Sequence, residues 1–157
     1  MKKSVYLETT IVSYLVARPS RDVIRAARQT ITRQWWDDRR EDFDLVVSQV
    51  VFNEARKGDQ RAAELRQQII EGLTRLDISD EAVELAATLV EKGAMPPKAA
   101  DDALHLAIAA VHGVDFLLTW NCRHLANAES MCAMARVLTA EGYRVPVVCT
   151  PDELMGD

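Results

Sequence analysis

The chain has 157 residues, 48% apolar and 27% charged, with a formal net charge of −5. That length suits one domain, and the apolar share is enough for a core without disulfide staples. No long polar or low-complexity tract supports disorder, and no apolar run approaches the ~20 residues a bilayer needs.

Taken in chain order, residues 5–7 are short, apolar and β-favouring and predict a first strand. A helix follows over 10–17, stopped by Pro19, and Ser20 is the expected N-cap of a longer helix to about residue 40. Residues 44–48 form a continuous apolar run, as expected of a strand buried on both faces. Ser48 then caps a helix to Lys57, ended by Gly58, and Asp59 caps another to Glu71, ended by Gly72. Residues 73–76 are a short third strand. Ser79, with Asp80 and Glu81 behind it, opens a helix that stops near Gly93. Pro96 and Pro97 mark a break before a strongly apolar helix over 98–112, ended by Gly113. Residues 115–119 are the fourth strand, 124–141 are mostly helical, and 145–149 are the last strand. Strands alternating with helices predict an α/β fold: a mostly parallel central sheet of four or five strands between helical layers. No repeat or linker divides it, so residues 1–157 are expected to form a single domain.

Several chemistries are excluded. Cys122, Cys132 and Cys149 make no CxxC pair, which argues against a disulfide framework and a four-cysteine zinc site. The six glycines never take dinucleotide or P-loop spacing, and no nucleophile elbow is present. Cys122 and His124 lack further ligands for zinc. The charge at Glu8 precedes any apolar stretch long enough for a secretion signal, so a cytoplasmic location is expected.

In open parallel sheets, ligands bind outside the carboxyl ends of the strands. Glu8 follows the first strand and Asn121 the fourth; Glu54 lies on the helix after the second, and Asp101 and Asp102 open the most apolar helix. Each has an ordinary structural reading: a cap or dipole partner for Asp101 or Asp102, and a solvated helix position paired with Lys57 for Glu54. Together they suggest oxygen ligands for a hard cation. His105, three residues after Asp102, reads as a hydrogen-bonded core histidine. Residues 18–40 hold seven arginines against three aspartates, so this segment is +4 and the remainder −9. It reads either as a solvated helix face or as a track for a phosphate backbone, with Arg21, Arg25 and Arg28 on one face. Of the adjacent Trp35 and Trp36, one reads as core and the other as interface or a surface for a stacked base, with core or dimer packing the expected role for both.

Val5-Tyr6-Leu7-Glu8-Thr9-Thr10, Glu54 within Val-Phe-Asn-Glu-Ala, Asp102-Ala-Leu-His-Leu-Ala-Ile-Ala and Leu117-Leu118-Thr119-Trp120-Asn121 follow one another in order. In that order and spacing the chain resembles a PIN domain, and within that family the VapC-type toxins of bacterial toxin–antitoxin pairs. The resemblance covers nearly the whole chain. It departs at Glu8 and Asn121, where the family usually carries Asp. It implies a three-layer PIN-like α/β/α sandwich and metal-dependent cleavage of RNA phosphodiester bonds. Glu8 and Asp102 would be direct ligands of Mg²⁺ or Mn²⁺, Glu54 a ligand or a base acting through water, and Asn121 an outer ligand. Thr9, Thr10 and Thr119 would hydrogen-bond the carboxylates or the scissile phosphate. The implied partners are RNA, a cognate antitoxin and a second copy of the chain, with no membrane. The alternative is a PIN-like RNA- or protein-binding subunit with impaired catalysis, which Glu8 and Asn121 favour. A haloacid-dehalogenase-like phosphatase fails for want of Asp-x-Asp after the first strand.

Overall fold

A computed structural model describes residues 1–157. Five strands form one all-parallel sheet: β1 (Lys3–Leu7), β2 (Phe43–Ser48), β3 (Thr74–Leu76), β4 (Phe116–Leu118) and β5 (Val147–Cys149), in the spatial order β3-β2-β1-β4-β5. Seven helices connect them: α1 (Thr9–Val16), α2 (Val23–Arg39), α3 (Gln49–Ala55), α4 (Gln60–Ile70), α5 (Asp80–Glu91), α6 (Ala100–Val111) and α7 (Ala128–Ala140). Right-handed crossovers put α1 to α4 on one face, and the reversal of strand order after β3 puts α5 to α7 on the other. The packing agrees: α1 lies against α2, α3 and α4, and α5 against α6 and α7. No helix is long and apolar enough to cross a membrane.

The centre of the sheet is where burial is greatest. Val5, Tyr6 and Leu7 of β1 are fully buried, because a central strand has helices over both faces. Helix α6 is apolar nearly all round, with Ala103 and residues 105–110 inside. Trp35 is buried and its Nε1 donates to Leu154 O at 3.2 Å, tying the C-terminal turn to α2. Trp36 is half-buried beneath the Arg40 guanidinium, 5.3 Å from its ring centroid.

Helix boundaries follow the capping chemistry. Ser48, Asp59 and Ser79 accept backbone N–H bonds at the starts of α3, α4 and α5. Gly93 and Gly113 adopt positive φ just past α5 and α6, and the next N–H in each case, Ala94 or Val114, reaches back to Leu89 O or Ala109 O. Three expectations need correction. Helix α2 begins at Val23, not after Ser20: Asp22 caps it by accepting Arg25 N–H at 2.9 Å, while Ser20 Oγ accepts Asp22 N–H in the preceding turn. Helix α7 begins at Ala128, not 124, because residues 121–127 form a turn stabilised by Asn121 and Asn127 caps it. Asp101 does not cap α6, whose start has no side-chain cap; a short 3₁₀ turn, Pro97–Ala99, leads into it instead.

At the amino end of β4, far along the strand from its carboxyl end, Asp115 Oδ2 accepts Ser4 N–H at 2.9 Å and Ser4 Oγ–H at 3.1 Å, and Oδ1 accepts Arg144 at 3.1 Å. The Ser4 backbone bond, set against partial burial, and the Arg144 charge hold the Asp115 carboxyl below its ordinary pKa. A depressed carboxylate pKa stabilises the fold above the unfolded value, and this stabilisation is lost as pH falls through the folded one. Asp115→Ala is therefore expected to cost about 1–2 kcal/mol in urea unfolding at neutral pH. The difference from wild type should shrink on acidification, with the carboxyl end of the sheet unaffected.

Candidate metal centre

Strand order reverses at β1, with β2 to one side and β4 to the other. A crevice therefore opens between the carboxyl ends of β1 and β4, the switch point where parallel α/β sheets bind ligands. Glu8 directly follows β1 there, its N–H donating to Leu118 O of β4 at 3.1 Å, and the Thr119–Asn121 segment leaves β4 beside it.

Glu8 is only 3% exposed, so its carboxylate needs internal donors. Three are in place. Thr10 Oγ1 and Thr119 Oγ1 donate to Oε1 at 2.5 and 2.6 Å, and Thr10 N–H donates to Oε2 at 3.2 Å as the N-terminal cap of α1. The longer Glu side chain thus bridges the start of its own helix and the neighbouring strand. A carboxylate has about four lone-pair sites, so one on Oε2 remains open.

Glu54 projects from α3 into the same crevice. Its Oε1 accepts Thr9 Oγ1–H at 2.7 Å and lies 2.6 Å from His105 Nε2, while Oε2 accepts no hydrogen bond. Burial opposes its charge, but the His105 bond and charge, the Thr9 hydroxyl and the charge of Lys57 together outweigh burial, and its pKa is lowered. One ligand atom each from Glu8, Glu54 and His105 lies within 4.8 Å of the others.

Asp102, half-buried on the first turn of α6, is not in that tight triplet, but it shares its field. Burial, chiefly, and the Glu54 charge raise its pKa, against the opposing influence of the Asn121 amide and the imidazoles of His105 and His124. Asn121 Oδ1 accepts His124 N–H at 2.9 Å, holding the turn after β4 and fixing the amide plane beside Asp102. The amide donor eases the burial of the Asp102 charge, where a second carboxylate would oppose it. Three carboxylates that share one field, each with a lone-pair site outside any hydrogen bond, fit the hard-oxygen preference of Mg²⁺ or Mn²⁺.

All three threonines face carboxylates. Thr9 serves Glu54, and Thr10 and Thr119 serve Glu8; Thr10 Oγ1 also accepts Trp120 N–H at 2.9 Å, and Thr119 Oγ1 accepts Asn121 N–H at 2.9 Å. The arginines do not form one helix face as expected. Arg21 precedes α2, and Arg25 lies in an open cleft with Tyr14 and Arg18. Arg28 alone of the three approaches the turn after β4, with its guanidinium 5.2 Å from the Trp120 ring centroid and 3.9 Å from Cys122 Sγ.

His105 is expected in the core from the sequence, and it is fully buried. It is also bonded at both nitrogens, because Nδ1 lies 2.6 Å from Tyr6 OH, itself 2.6 Å from Ser48 Oγ. Burial opposes the His105 charge, but the Glu54 bond and the charges of Glu8, Glu54 and Asp102 outweigh it and raise its pKa. Burial raises that of Tyr6, keeping the phenol protonated. Sequence reasoning misses the link between these residues; its only signal is polar residue types at positions 6, 48 and 105 within otherwise apolar elements.

The family model described as PIN domain matches residues 5–128. Among solved structures, the chain is similar to Mycobacterium tuberculosis VapC20, a sarcin-ricin loop cleaving toxin. The identity is 14% and the TM-score 0.60, over 89% of this chain and 96% of that one. It is also similar to VapBC2 from Rickettsia felis, solved bound to a DNA fragment from its promoter. Here the identity is 15% and the TM-score 0.54, over 94% of this chain and 98% of that one. Identities this low carry the fold alone. A search of curated proteins finds no match.

Because Thr119 Oγ1 both donates to buried Glu8 and accepts Asn121 N–H, Thr119→Val is expected to destabilise the fold by about 2–3 kcal/mol in urea unfolding. Thr119→Ser, which keeps the hydroxyl, should recover most of the loss.

Proposed function

The chain belongs to the PIN domain family, in the main a family of nucleases that use divalent metals, and on that footing we propose that it is an Mg²⁺- or Mn²⁺-dependent endoribonuclease. The observation that carries this reading is the meeting of Glu8 and Glu54, with Asp102 beside them, at the sheet's switch point. In this reading Glu8, Glu54 and Asp102 hold the cation through their carboxylate oxygens. His105 is not a ligand, since both its nitrogens are engaged by Tyr6 and Glu54. A bound divalent ion lowers the pKa of its water and offsets charge developing on the phosphate.

The chain's own residues supply the rest. Thr10, Thr119 and the α1 N-terminus hold the Glu8 carboxylate in place, and Thr9 and His105 hold that of Glu54. The raised Asp102 is the carboxyl best matched to hold a proton when no cation offsets the neighbouring charges. Asn121 orients Asp102 from outside the ligand set. Arg28, stacked near Trp120 at the mouth, offers a cation to an RNA backbone otherwise approaching an acidic protein, and Arg25 and Arg21 extend that contact outward. Thr9, Thr10 and Thr119 act on substrate only through the carboxylates they hold.

By the same reading the protein is the toxin of a toxin–antitoxin pair and works in the cytoplasm. Its partners are a cognate antitoxin and a second copy of itself. Supporting a protein partner, Val23 and Ile24 are 82% and 63% exposed at the start of α2, beside Arg21 and Arg25. The fold likeness to VapC20 and VapBC2 points the same way.

Purified protein is expected to cleave single-stranded RNA in Mg²⁺ or Mn²⁺ and to stop in EDTA. Asp102→Asn or Glu54→Gln should each lower the rate by about a hundredfold or more, the scale on which loss of one charge-stabilising contact acts. RNA binding without cleavage by wild type would favour the binding-subunit reading. Cleavage that survives Glu8→Gln combined with Asp102→Asn would remove the site assignment.

A further inference from the structure

Behind the carboxylates lies a file of polar side chains in the most apolar part of the molecule. Ser48 is at the end of β2, Tyr6 in the middle of β1 and His105 on the inner face of α6, and all three are fully buried. Ser48 Oγ accepts Val50 N–H at 3.2 Å and lies 2.6 Å from Tyr6 OH. Tyr6 OH lies 2.6 Å from His105 Nδ1, and His105 Nε2 lies 2.6 Å from Glu54 Oε1. The Tyr6 and His105 rings meet edge to face, with centroids 5.7 Å apart. No buried side-chain polar atom lacks a partner.

One hydrogen in this file is fixed by its end. The Glu54 carboxylate only accepts, so Nε2 of His105 carries the hydrogen between them. Behind it, Tyr6 OH bonds Nδ1 and Ser48 Oγ bonds Tyr6 OH, so the imidazole is held from its far side whichever way those hydrogens run.

Burying three polar side chains costs free energy that an apolar core of similar volume would not incur. The file ends on one oxygen of one carboxylate, leaving Oε2 of Glu54 outside any hydrogen bond. We propose that Tyr6 and His105 are positioning residues: they clamp Glu54 Oε1 so that Oε2 is presented to a divalent cation. Tyr6 holds the His105 ring through Nδ1, and Ser48 holds the Tyr6 hydroxyl. This rests on the metal-centre reading above and adds to it a residue set inside the core that does not touch the ion. Hydrogen bonds behind the ligands set ligand orientation in metal sites, and their loss commonly lowers metal affinity about 10–100-fold.

The test is Mn²⁺ binding, followed by the electron paramagnetic resonance of free Mn²⁺ during titration of the full chain, with thermal unfolding without metal measured in parallel. His105→Leu fills the same space without a donor. Tyr6→Phe removes only the hydroxyl that holds Nδ1 of His105. His105→Gln keeps a donor that can reach Glu54. The expected result is at least a tenfold weaker Mn²⁺ affinity for His105→Leu, a smaller but clear loss for Tyr6→Phe, and near wild-type affinity for His105→Gln. Tyr6→Phe is expected to melt below wild type, since Ser48 and His105 each lose a buried partner, so affinities are compared below the melting transition of each variant. Should His105→Leu not fold, Tyr6→Phe and His105→Gln carry the comparison. Wild-type affinity in both His105→Leu and Tyr6→Phe overturns the clamp while leaving the metal centre standing, as does equal loss in His105→Leu and His105→Gln. Absence of Mn²⁺ binding by wild type overturns the metal centre and the clamp with it.

Discussion

Negative charge gathered in a partly buried crevice is the constraint around which this molecule is arranged. A carboxylate withdrawn from water must be compensated by donors, by a cation, or by taking up a proton. Glu8 is compensated by donors: two hydroxyls and a backbone N–H converge on it from α1 and from the segment after β4. Glu54 has donors on one oxygen only. Asp102, with the fewest, is the one whose pKa rises. Compensation is therefore graded across the three groups, being fullest at Glu8 and least at Asp102.

The fold makes that gathering possible. A parallel sheet whose order reverses at its central strand must part its crossovers to either side, and the parting leaves an opening at the strands' carboxyl ends. One residue, Glu8, separates β1 from α1, and it caps the helix. α3 follows β2 without a break, which brings Glu54 toward β1 from the neighbouring strand. α6 arrives from the opposite layer and delivers Asp102 and His105 one turn apart. Of the arginines in the basic stretch between residues 18 and 40, Arg28 approaches the crevice, over Trp120, while Arg39 and Arg40 are held at the far end of α2 by Asp42, Leu154 and Trp36.

Much of this was legible in the amino-acid order. Unbroken apolar runs at β1, β2 and β4 announced strands covered on both faces, and Ser48, Asp59 and Ser79 announced helix starts, because caps and strand burial are local properties. Glu8, Glu54 and Asp102 could be singled out by their positions after strands and at a helix start. Boundaries failed where two neighbouring residues are equally suited to the same position. Ser20 and Asp22 both suit a cap, and only the tertiary course of the chain selects Asp22. The alignment of Arg21 with Arg25 and Arg28 failed for the same reason, since a helix face does not extend past its cap. The buried file from Ser48 to Glu54 was hidden because its members come from β2, β1 and α6, separated by 42 and 99 residues. A tyrosine in an apolar strand and a histidine in an apolar helix each look like ordinary core until the strand order puts them side by side.

The most direct measurement is the anomalous scattering of Mn²⁺ in crystals grown or soaked with that ion. The account predicts one anomalous peak, or a close pair, in the crevice between β1 and β4, within bonding distance of oxygens from Glu8, Glu54 and Asp102 and not of His105. Well-ordered crystals saturated with Mn²⁺ that place no peak there, or place it only on surface acids elsewhere, would contradict it.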